Sequence, residues 1–153
     1  MIKVFLAIAL LFVVSPLHNN NLGIKQLIDA EIACLTMNMY YEAGSESKQG
    51  KIAVGNVTMN RAKSKHFPNS ICGVITQSYK GACQFSWFCS GKIRQIPQTT
   101  YNELNKLAKK IYFGEIRDIT GGALFFHNHE VSPEWAEPEK MTVEIGNHKF
   151  YRK

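Results

Sequence analysis

The chain has 153 residues, of which 45% are apolar, 20% charged and 11% aromatic, and its formal net charge is +6 at pH 7. This length and composition fit one folded domain and exclude a long disordered protein, a solenoid of repeats and a second module of ordinary size. The positive charge favours anionic partners such as a wall polymer, nucleic acid or anionic lipid, but charge alone does not choose among them.

The first seventeen residues have the pattern of an export signal. Lys3 precedes an apolar run over residues 4–14, which is followed by Ser15, Pro16 and polar residues. This run is shorter than the roughly 20 apolar residues that cross a bilayer comfortably. No A-x-A-like cleavage triplet follows it, so we expect residues 1–17 to be either a signal peptide or an uncleaved signal anchor. In both cases the domain is exported to the periplasm, the cell wall or the medium.

Export changes how the four cysteines are interpreted. Outside the cytoplasm, an even number of cysteines favours disulfides over free thiols. Cys34, Cys72, Cys83 and Cys89 allow three pairings. Because the last three lie close together in a loop-rich stretch, we expect at least one bridge there. A four-cysteine zinc site is the weaker alternative, since the chain has no CxxC pair.

A first helix is predicted over IKQLIDAEIACLTMNMYYEAGSE, after a short polar linker at residues 19–21. Leu35 and Met39 mark the face that this helix buries. Glu42 and Glu46 continue the same face at the next helical positions, although a surface carboxylate would normally point away from an apolar stripe. The two acids therefore lie at the edge of the core.

A second helix is predicted to begin within residues 47–50 and to run through KIAVGNVTMNRAK, with Ala53, Val54 and Val57 turned inward. It ends before Pro68. The stretch ICGVITQSYKGACQFSWFCSGK has little periodicity, and it is rich in glycine, serine and aromatic residues. We expect it to form a structured loop that makes one wall of a cleft.

The third helix is predicted from a T-x-x-E capping box at Thr100 and Glu103 and an apolar stripe over residues 104–111, with Gly114 closing the helix.

The last third of the chain is predicted to form strands instead of helices. ALFFHNH has the composition of a strand, and MTVEIGNHKFY predicts a hairpin whose two-residue turn, Gly146 and Asn147, suits type II′. Helices followed by a small antiparallel sheet predict an α+β domain.

Glu42 is the candidate catalytic residue. Apolar and aromatic neighbours such as Tyr40 withdraw water from its carboxylate, so its pKa should rise, and a carboxyl with a raised pKa is a usable general acid. Glu46 could act as a second carboxylate one helical turn away. If Gly44 ends the helix first, Glu46 lies elsewhere. The alternative role for Glu46 is that of a helix-end carboxylate that pairs with Lys48 or accepts backbone hydrogen bonds.

Several motifs in one order resemble the SleB/CwlJ-type cell wall hydrolases over about residues 33–152. The family pattern has an E-A-x-x-E pair, a glycine, an alanine-valine helix ending in N-R, and F-P. Its elements here are Glu42, Ala43, Glu46, Gly50, Ala53, Val54, Asn60, Arg61, Phe67 and Pro68. CQFSW, GGALFFHN, PEW and IGNHKFYR follow in the expected order.

The resemblance implies a lysozyme-like fold and cleavage of peptidoglycan, with the first glutamate of the motif, Glu42, as the catalytic residue. In a lytic transglycosylase this carboxyl protonates the leaving oxygen and then accepts a proton from the sugar's own 6-hydroxyl. The resemblance also implies substrate-binding or supporting roles, which we assign to Glu46, Gln84, Ser86, His127 and Tyr151. Trp87 is expected to be structural.

A metal-dependent wall amidase is a rival interpretation, because His127 and His129 would share one face of a strand and could bind a metal with Glu130 or His148. The letters H-N-H occur as adjacent residues here, whereas the nuclease motif of that name spreads over a long hairpin. We therefore exclude a nuclease of that type. Two further rivals are a hydrolytic muramidase of the same fold and a wall-binding protein without turnover.

Three segments are therefore expected: a signal peptide or signal anchor at residues 1–17, a linker and helix start at residues 18–32, and a cell wall hydrolase catalytic domain at residues 33–153. We expect a monomer that acts on peptidoglycan, with no nucleic-acid partner, cofactor or metal. An uncleaved signal would add a membrane tether. The sequence leaves open whether the chain serves a bacterium or a virus.

Overall fold

The computed structural model describes residues 16–91 and 93–153. Most of the predicted export signal, residues 1–15, therefore lies outside the described residues. The described chain forms, in order, α1 (Pro16–Ala43), α2 (Lys48–Lys63), α3 (Ile71–Thr76), β1 (Ser78–Tyr79), β2 (Ala82–Cys83), α4 (Ser86–Cys89), α5 (Gln98–Tyr112), β3 (Phe125–Asn128), a 3-10 turn (Pro138–Lys140), β4 (Met141–Ile145) and β5 (His148–Tyr151). Across this part of the chain, no helix is long and apolar enough to cross a membrane.

Helix α1 is the central element, and α2, α3 and α5 all pack against it. Leu35 and Met39 are fully buried on its inner face, as predicted. The predicted linker at residues 19–21 is wrong, because these asparagines belong to α1. Asparagine is a poor helix former but not a breaker, and a helix that has already formed extends without a new nucleation cost.

Helix α2 follows a tight connection of four residues. Its N-cap, Ser47, accepts a hydrogen bond from the Gly50 backbone N–H at 3.2 Å. Ala53, Val54 and Val57 are fully buried, as predicted. Ala53 and Val57 pack with Phe150 of the sheet, so α2 joins the helical core to the sheet.

The stretch predicted as a structured loop contains more regular structure than expected. It includes α3, the short hairpin of β1 and β2, and α4. Ser70 caps α3 by accepting a hydrogen bond from the Gly73 N–H at 3.0 Å. Six-residue and four-residue helices are too short to give a clear periodic pattern, which explains why the sequence alone did not reveal them.

The predicted capping box of α5 is wrong. The helix begins at Gln98, directly after Pro97, and no side chain caps it, so Thr100 lies inside the first turn. Pro97 takes the N-cap position with φ −54° and ψ 135°, and its backbone oxygen accepts the Tyr101 N–H at 2.9 Å. The C-terminal prediction is confirmed: α5 ends at Tyr112, and Gly114 has φ +76° two residues later.

The three-stranded sheet has the order β3-β5-β4, and both pairs are antiparallel. Gly146 has φ +59° and Asn147 does not have a positive φ, which agrees with the predicted type II′ turn between β4 and β5. The arrangement of helices first and a small antiparallel sheet last confirms the α+β prediction.

Two disulfides use all four cysteines. Cys83 pairs with Cys89, which confirms the prediction of a bridge within the loop-rich stretch. Cys34 pairs with Cys72 across 38 residues and links α1 to α3. This second bridge fixes the helix that carries the candidate acid to the start of the cleft wall.

Candidate active site

Glu42 lies in the last turn of α1, one residue before the helix ends at Ala43. It is half-buried, at the point where the face marked by Leu35 and Met39 reaches the surface. Helical spacing alone brings the carboxyl to this edge of the core.

Two cavities meet at Glu42 and Ser45. The larger, of about 710 Å³, is lined mainly by aromatic and polar side chains from α1, α4, the segment that follows α4 and the first turn of α5: Tyr40, Tyr41, Trp87, Ser90, Arg94 and Thr100. The smaller, of about 330 Å³, is polar and is lined by Glu46, Asn128, His129, Glu130, Asn147 and His148. Together they form a cleft that continues on both sides of Glu42, which is the arrangement needed to cut inside a polymer.

The aromatic wall of the larger cavity is fixed by specific contacts. Tyr41 stacks on Trp87 with ring centroids 4.5 Å apart, and its hydroxyl donates to the backbone oxygen of Arg94 at 2.8 Å. The Trp87 indole N–H donates to Asn38 Oδ1 at 3.0 Å, and Asn38 in turn donates to Thr58. The predicted loop therefore does make one wall of the cleft, and flat aromatic surfaces of this kind suit sugar rings.

The environment of Glu42 favours the protonated carboxyl. Burial raises its pKa to about 7, and the charge of Arg61 opposes the rise only in part. Burial also lowers the pKa of Arg61 to about 10, and the charge of Glu42 offsets this fall only in part. The predicted rise in the Glu42 pKa is confirmed, and the carboxyl can hold or release its proton near neutral pH.

Arg61 lies near the end of α2 and is only 5% exposed. Its guanidinium lies against the rings of Phe67, Phe85 and Phe125, at 5.1, 5.2 and 5.8 Å from their centroids. Its Nε donates to the Leu124 backbone oxygen at 2.7 Å, whereas Nη1 is buried without a hydrogen-bond partner in the described structure. In the sequence, Arg61 stood out only as part of a family motif, with no role attached to it.

Glu46 does not continue the helical face of Glu42, because α1 ends at Ala43. The prediction that Gly44 could move it elsewhere is therefore confirmed. Its two carboxylate oxygens accept hydrogen bonds from Asn147, one from the backbone N–H at 3.2 Å and one from the side-chain amide at 3.0 Å. Gly146 lies so close that a Cβ at this position would overlap the Glu46 carboxylate.

The Glu46 carboxylate is ionised at neutral pH. Burial would raise its pKa, but the hydrogen bonds from Asn147 and the charges of His148 and Lys51 together lower it below its usual value. The expectation that Glu46 accepts backbone hydrogen bonds is confirmed. Glu46 thus anchors the turn between β4 and β5 to the end of α1 and stays beside Glu42 in the smaller cavity.

A loop before β3 is held by Asn60 and Asp118. The Asn60 amide donates to Asp118 Oδ2 at 3.0 Å and to the Ala123 backbone oxygen at 3.1 Å. Asp118 also accepts from the backbone N–H groups of Thr120 and Gly122, each at 2.7 Å. Burial would raise the pKa of Asp118, but these hydrogen bonds lower it overall. These hydrogen bonds hold the loop, which joins α5 to β3, against the end of α2.

His127 and Tyr151 form a cluster with Trp135. His127 Nε2 is 2.9 Å from the Tyr151 hydroxyl, the two rings stack, and Trp135 packs edge-on against both. In the register of β3 and β5, these residues lie on the face of the sheet opposite Asn128 and His148. His127 and Tyr151 do not line either cavity, and the supporting roles assigned to them stay predictions.

Gln84 and Ser86 are both exposed, and they do not line the two cavities at Glu42. Their contacts with substrate therefore stay predictions. Phe85, between them, is 2% exposed and lies against the Arg61 guanidinium. Within this motif, the structure gives the clearest role to the aromatic residue in the middle.

The histidines of the rival metal site have different partners. Both ring nitrogens of His127 are engaged, one by Tyr151 and the other by the Asn128 backbone oxygen at 2.7 Å. His129 Nε2 lies 3.3 Å from a Glu144 carboxylate oxygen. Within residues 16–91 and 93–153, no group of three or more His, Cys, Asp or Glu side chains has the arrangement of a metal site.

Asn128, Asn147 and His148 lie beside Glu42, which the sequence did not reveal. Their signals in the sequence were the motifs GGALFFHN and IGNHKFYR, which contain them, and for His148 the rival metal site, but none of these signals pointed to Glu42. Burial lowers the pKa of His148 below its usual value, and the charge of Glu46 offsets this only in part. The smaller cavity thus brings the acids Glu46 and Glu130 and several hydrogen-bonding groups beside Glu42.

A family model described as Cell Wall Hydrolase matches residues 45–151. Among curated relatives, the spore cortex-lytic enzyme of Bacillus cereus is 30% identical over 123 residues, which cover 78% of this chain and 43% of that protein. The spore cortex-lytic enzyme of Bacillus subtilis is 29% identical over 125 residues, covering 78% of this chain and 37% of that protein. The chain spans less than half the length of these relatives.

Two solved structures resemble the fold. The catalytic domain of the Bacillus cereus SleB protein matches with a TM-score of 0.64 and 29% identity, covering 80% of this chain and 89% of that one. The catalytic domain of the germination-specific lytic transglycosylase SleB from Bacillus anthracis matches with a TM-score of 0.63 and 28% identity, covering 80% and 93%. These matches confirm the predicted lysozyme-like α+β fold class.

Proposed function

Because the chain belongs to the cell wall hydrolase family, we propose that it cleaves the glycan strands of peptidoglycan between muramic acid and glucosamine, as a lytic transglycosylase. The observation that carries the proposal is the position of Glu42. This half-buried carboxyl lies where two halves of a cleft meet, and burial raises its pKa to about 7. A proton donor in the middle of an open cleft suits the cleavage of an internal glycosidic bond.

Glu42 acts first as an acid and then as a base. Its proton passes to the glycosidic oxygen as the bond to the anomeric carbon of muramic acid breaks, and the sugar ring gains positive character. The 6-hydroxyl of the same sugar then attacks the anomeric carbon and gives its proton to the Glu42 carboxylate. The product ends in a 1,6-anhydro ring, no water is consumed, and Glu42 is protonated again.

The environment of Glu46 favours this one-carboxylate route. Asn147 occupies one hydrogen-bonding position on each of its two oxygens, so the carboxylate holds the turn between β4 and β5 in place. A glycosidase nucleophile or base must instead face the anomeric carbon or a water molecule beside it. Glu46 is therefore assigned a supporting role.

A hydrolytic muramidase is the second candidate, because an ionised Glu46 lines the same cavity as Glu42 and could activate a water molecule. Mass analysis of the fragments that purified protein releases from peptidoglycan separates the two reactions. We expect anhydro ends, which are one water lighter than reducing ends. Reducing ends would assign hydrolysis, and free amino groups would assign an amidase.

Glu46→Gln is expected to keep the rate of fragment release within about tenfold of the unmodified protein, because a glutamine oxygen can still accept the Asn147 backbone N–H. Removing a general base would reduce the rate by about 10²- to 10⁴-fold. Initial rates of glycan release measure the difference. Glu130→Gln is the matched control, since it changes another acid of the same cavity. A 10²- to 10⁴-fold loss of rate in Glu46→Gln, without such a loss in Glu130→Gln, would favour the hydrolase.

A further inference from the structure

We propose that a lysine-lined groove beside the catalytic cavity binds carboxylates of the peptide stems that the glycan strand carries. The inference rests on the proposed function and names the form of peptidoglycan that the cleft prefers. The groove, called the lysine groove below, has a volume of about 370 Å³ and lies between α2 and α5. Its lining includes Lys48, Lys51, Lys106 and Lys110, with the buried Leu104 beneath them.

The charge of the lysine groove is largely uncompensated. Glu103 is the acid among the residues that line it, against four lysines. In the described structure, no ion pair joins any of these lysines to an acid. Lys51 donates to the Glu46 backbone oxygen at 2.8 Å and its charge also lowers the pKa of the Glu46 carboxylate, so the uncompensated charge belongs mainly to Lys48, Lys106 and Lys110. A groove with this balance attracts and holds anions.

Helix electrostatics do not account for the cluster. Lys110 lies in the last turn of α5, where the helix dipole favours a cation. Lys48 and Lys51, however, lie in the first turn of α2, where the dipole disfavours a cation. Two lysines at the unfavourable end of a helix, facing two lysines of another helix across one groove, point to an anionic ligand.

The lysine groove adjoins the catalytic cleft. Thr100 lines both this groove and the larger cavity that contains Glu42. A glycan strand in the larger cavity would therefore project its side groups toward the lysines. The lysine groove thus lies along the path of the substrate.

The chemistry of the strand selects the ligand. The alternating N-acetyl sugars are neutral, and the peptide stems on muramic acid carry the carboxylates. Lysine suits such groups because its ammonium is a mobile point charge that does not require one fixed geometry. Contacts of this exposed kind are individually weak, so several of them are needed for a measurable preference.

The test uses soluble glycan strands with intact peptide stems, and the same strands after an amidase has removed the stems and the muramic acid carboxylates freed by that hydrolysis have been converted to methylamides. The triple variant Lys48→Gln, Lys106→Gln, Lys110→Gln is compared with Lys63→Gln, Lys65→Gln, Lys109→Gln, which removes the same charge from exposed positions outside the lysine groove. We expect the groove variant to lose about tenfold in kcat/KM on intact strands, mainly through KM, and to be unchanged on stripped strands. The control variant should match the unmodified protein on both.

Equal losses on both substrates, or equal losses in both triple variants, would overturn the proposal. The proposal would also be overturned if the groove variant lost activity only on walls that carry phosphodiester polymers, because the ligand would then be a phosphate. Binding of the two strands by Glu42→Gln, with and without the groove changes, gives a readout that needs no turnover. If the unmodified protein releases no fragments while the binding preference persists, the proposed function fails and the lysine groove stands.

Discussion

Glu42→Gln is expected to reduce the release of glycan fragments by about 10²- to 10⁴-fold, because it removes the proton that the leaving oxygen must receive. Glutamine has nearly the same shape, so the fold and the affinity for glycan strands should persist. The measurement is the initial rate of fragment release, with strand binding as the companion. Glu115→Gln, at an exposed position after α5, is the control and should lose nothing.

The same substitution is expected to stabilise the protein at alkaline pH. The pKa of Glu42 is about 7 in the folded chain against an ordinary value of 4.5, so the folded state binds this proton more tightly than the unfolded state. Stability from this group is complete below about pH 4.5 and falls as the pH rises to about 7. The loss amounts to about 3 kcal/mol above that range.

Urea unfolding at several pH values tests this effect. Glu42→Gln should match the unmodified protein near pH 4 and should exceed its free energy of unfolding above pH 7. Arg61 limits the gain, because glutamine leaves its buried charge without an anion nearby, but burial of Glu42 outweighs this attraction in setting its pKa. A variant that is less active and equally stable at all pH values would show that Glu42 is not held in its proton-bearing form.

Local patterns in the sequence were enough to find Glu42. The spacing from Leu35 and Met39 placed it at the edge of the core, and aromatic neighbours predicted the rise in its pKa. The Gly146 turn was likewise predicted, because a residue of positive φ at the first turn position is a local requirement. Each of these features depends on residues within a few positions of one another.

Features that depend on distant residues could not be predicted in the same way. Glu46 and Asn147 are 101 residues apart in sequence, and nothing local to Glu46 indicates that a hairpin turn will reach its carboxylate. Arg61 is buried because Phe67, Phe85 and Phe125 converge on it from three segments. The capping box at Thr100 is a local motif, but it was wrong because the helix begins two residues before Thr100, directly after Pro97.

Arg61→Met is expected to move the alkaline limb of the kcat/KM profile to higher pH. The active form of Glu42 carries its proton, so activity falls as the pH rises through the pKa of Glu42. In the unmodified protein, the charge of Arg61 lowers this pKa. Methionine keeps the contacts with the aromatic rings but removes the charge. We also expect a loss of about 2–4 kcal/mol in the free energy of unfolding, because Leu124 loses a charged donor and three rings lose a cation.

Arg152→Met is the matched control for this electrostatic effect. Arg152 also donates through Nε to a backbone oxygen, that of Gly121 at 2.7 Å, but it is exposed and is not among the charges that shift the pKa of Glu42. Its loss should lower stability less and leave the pH profile in place. If Arg61→Met lowers stability but leaves the alkaline limb where it was, Arg61 serves only the packing of the sheet against α2. If the limb moves as expected, the buried cation sets the pH range over which Glu42 can donate its proton.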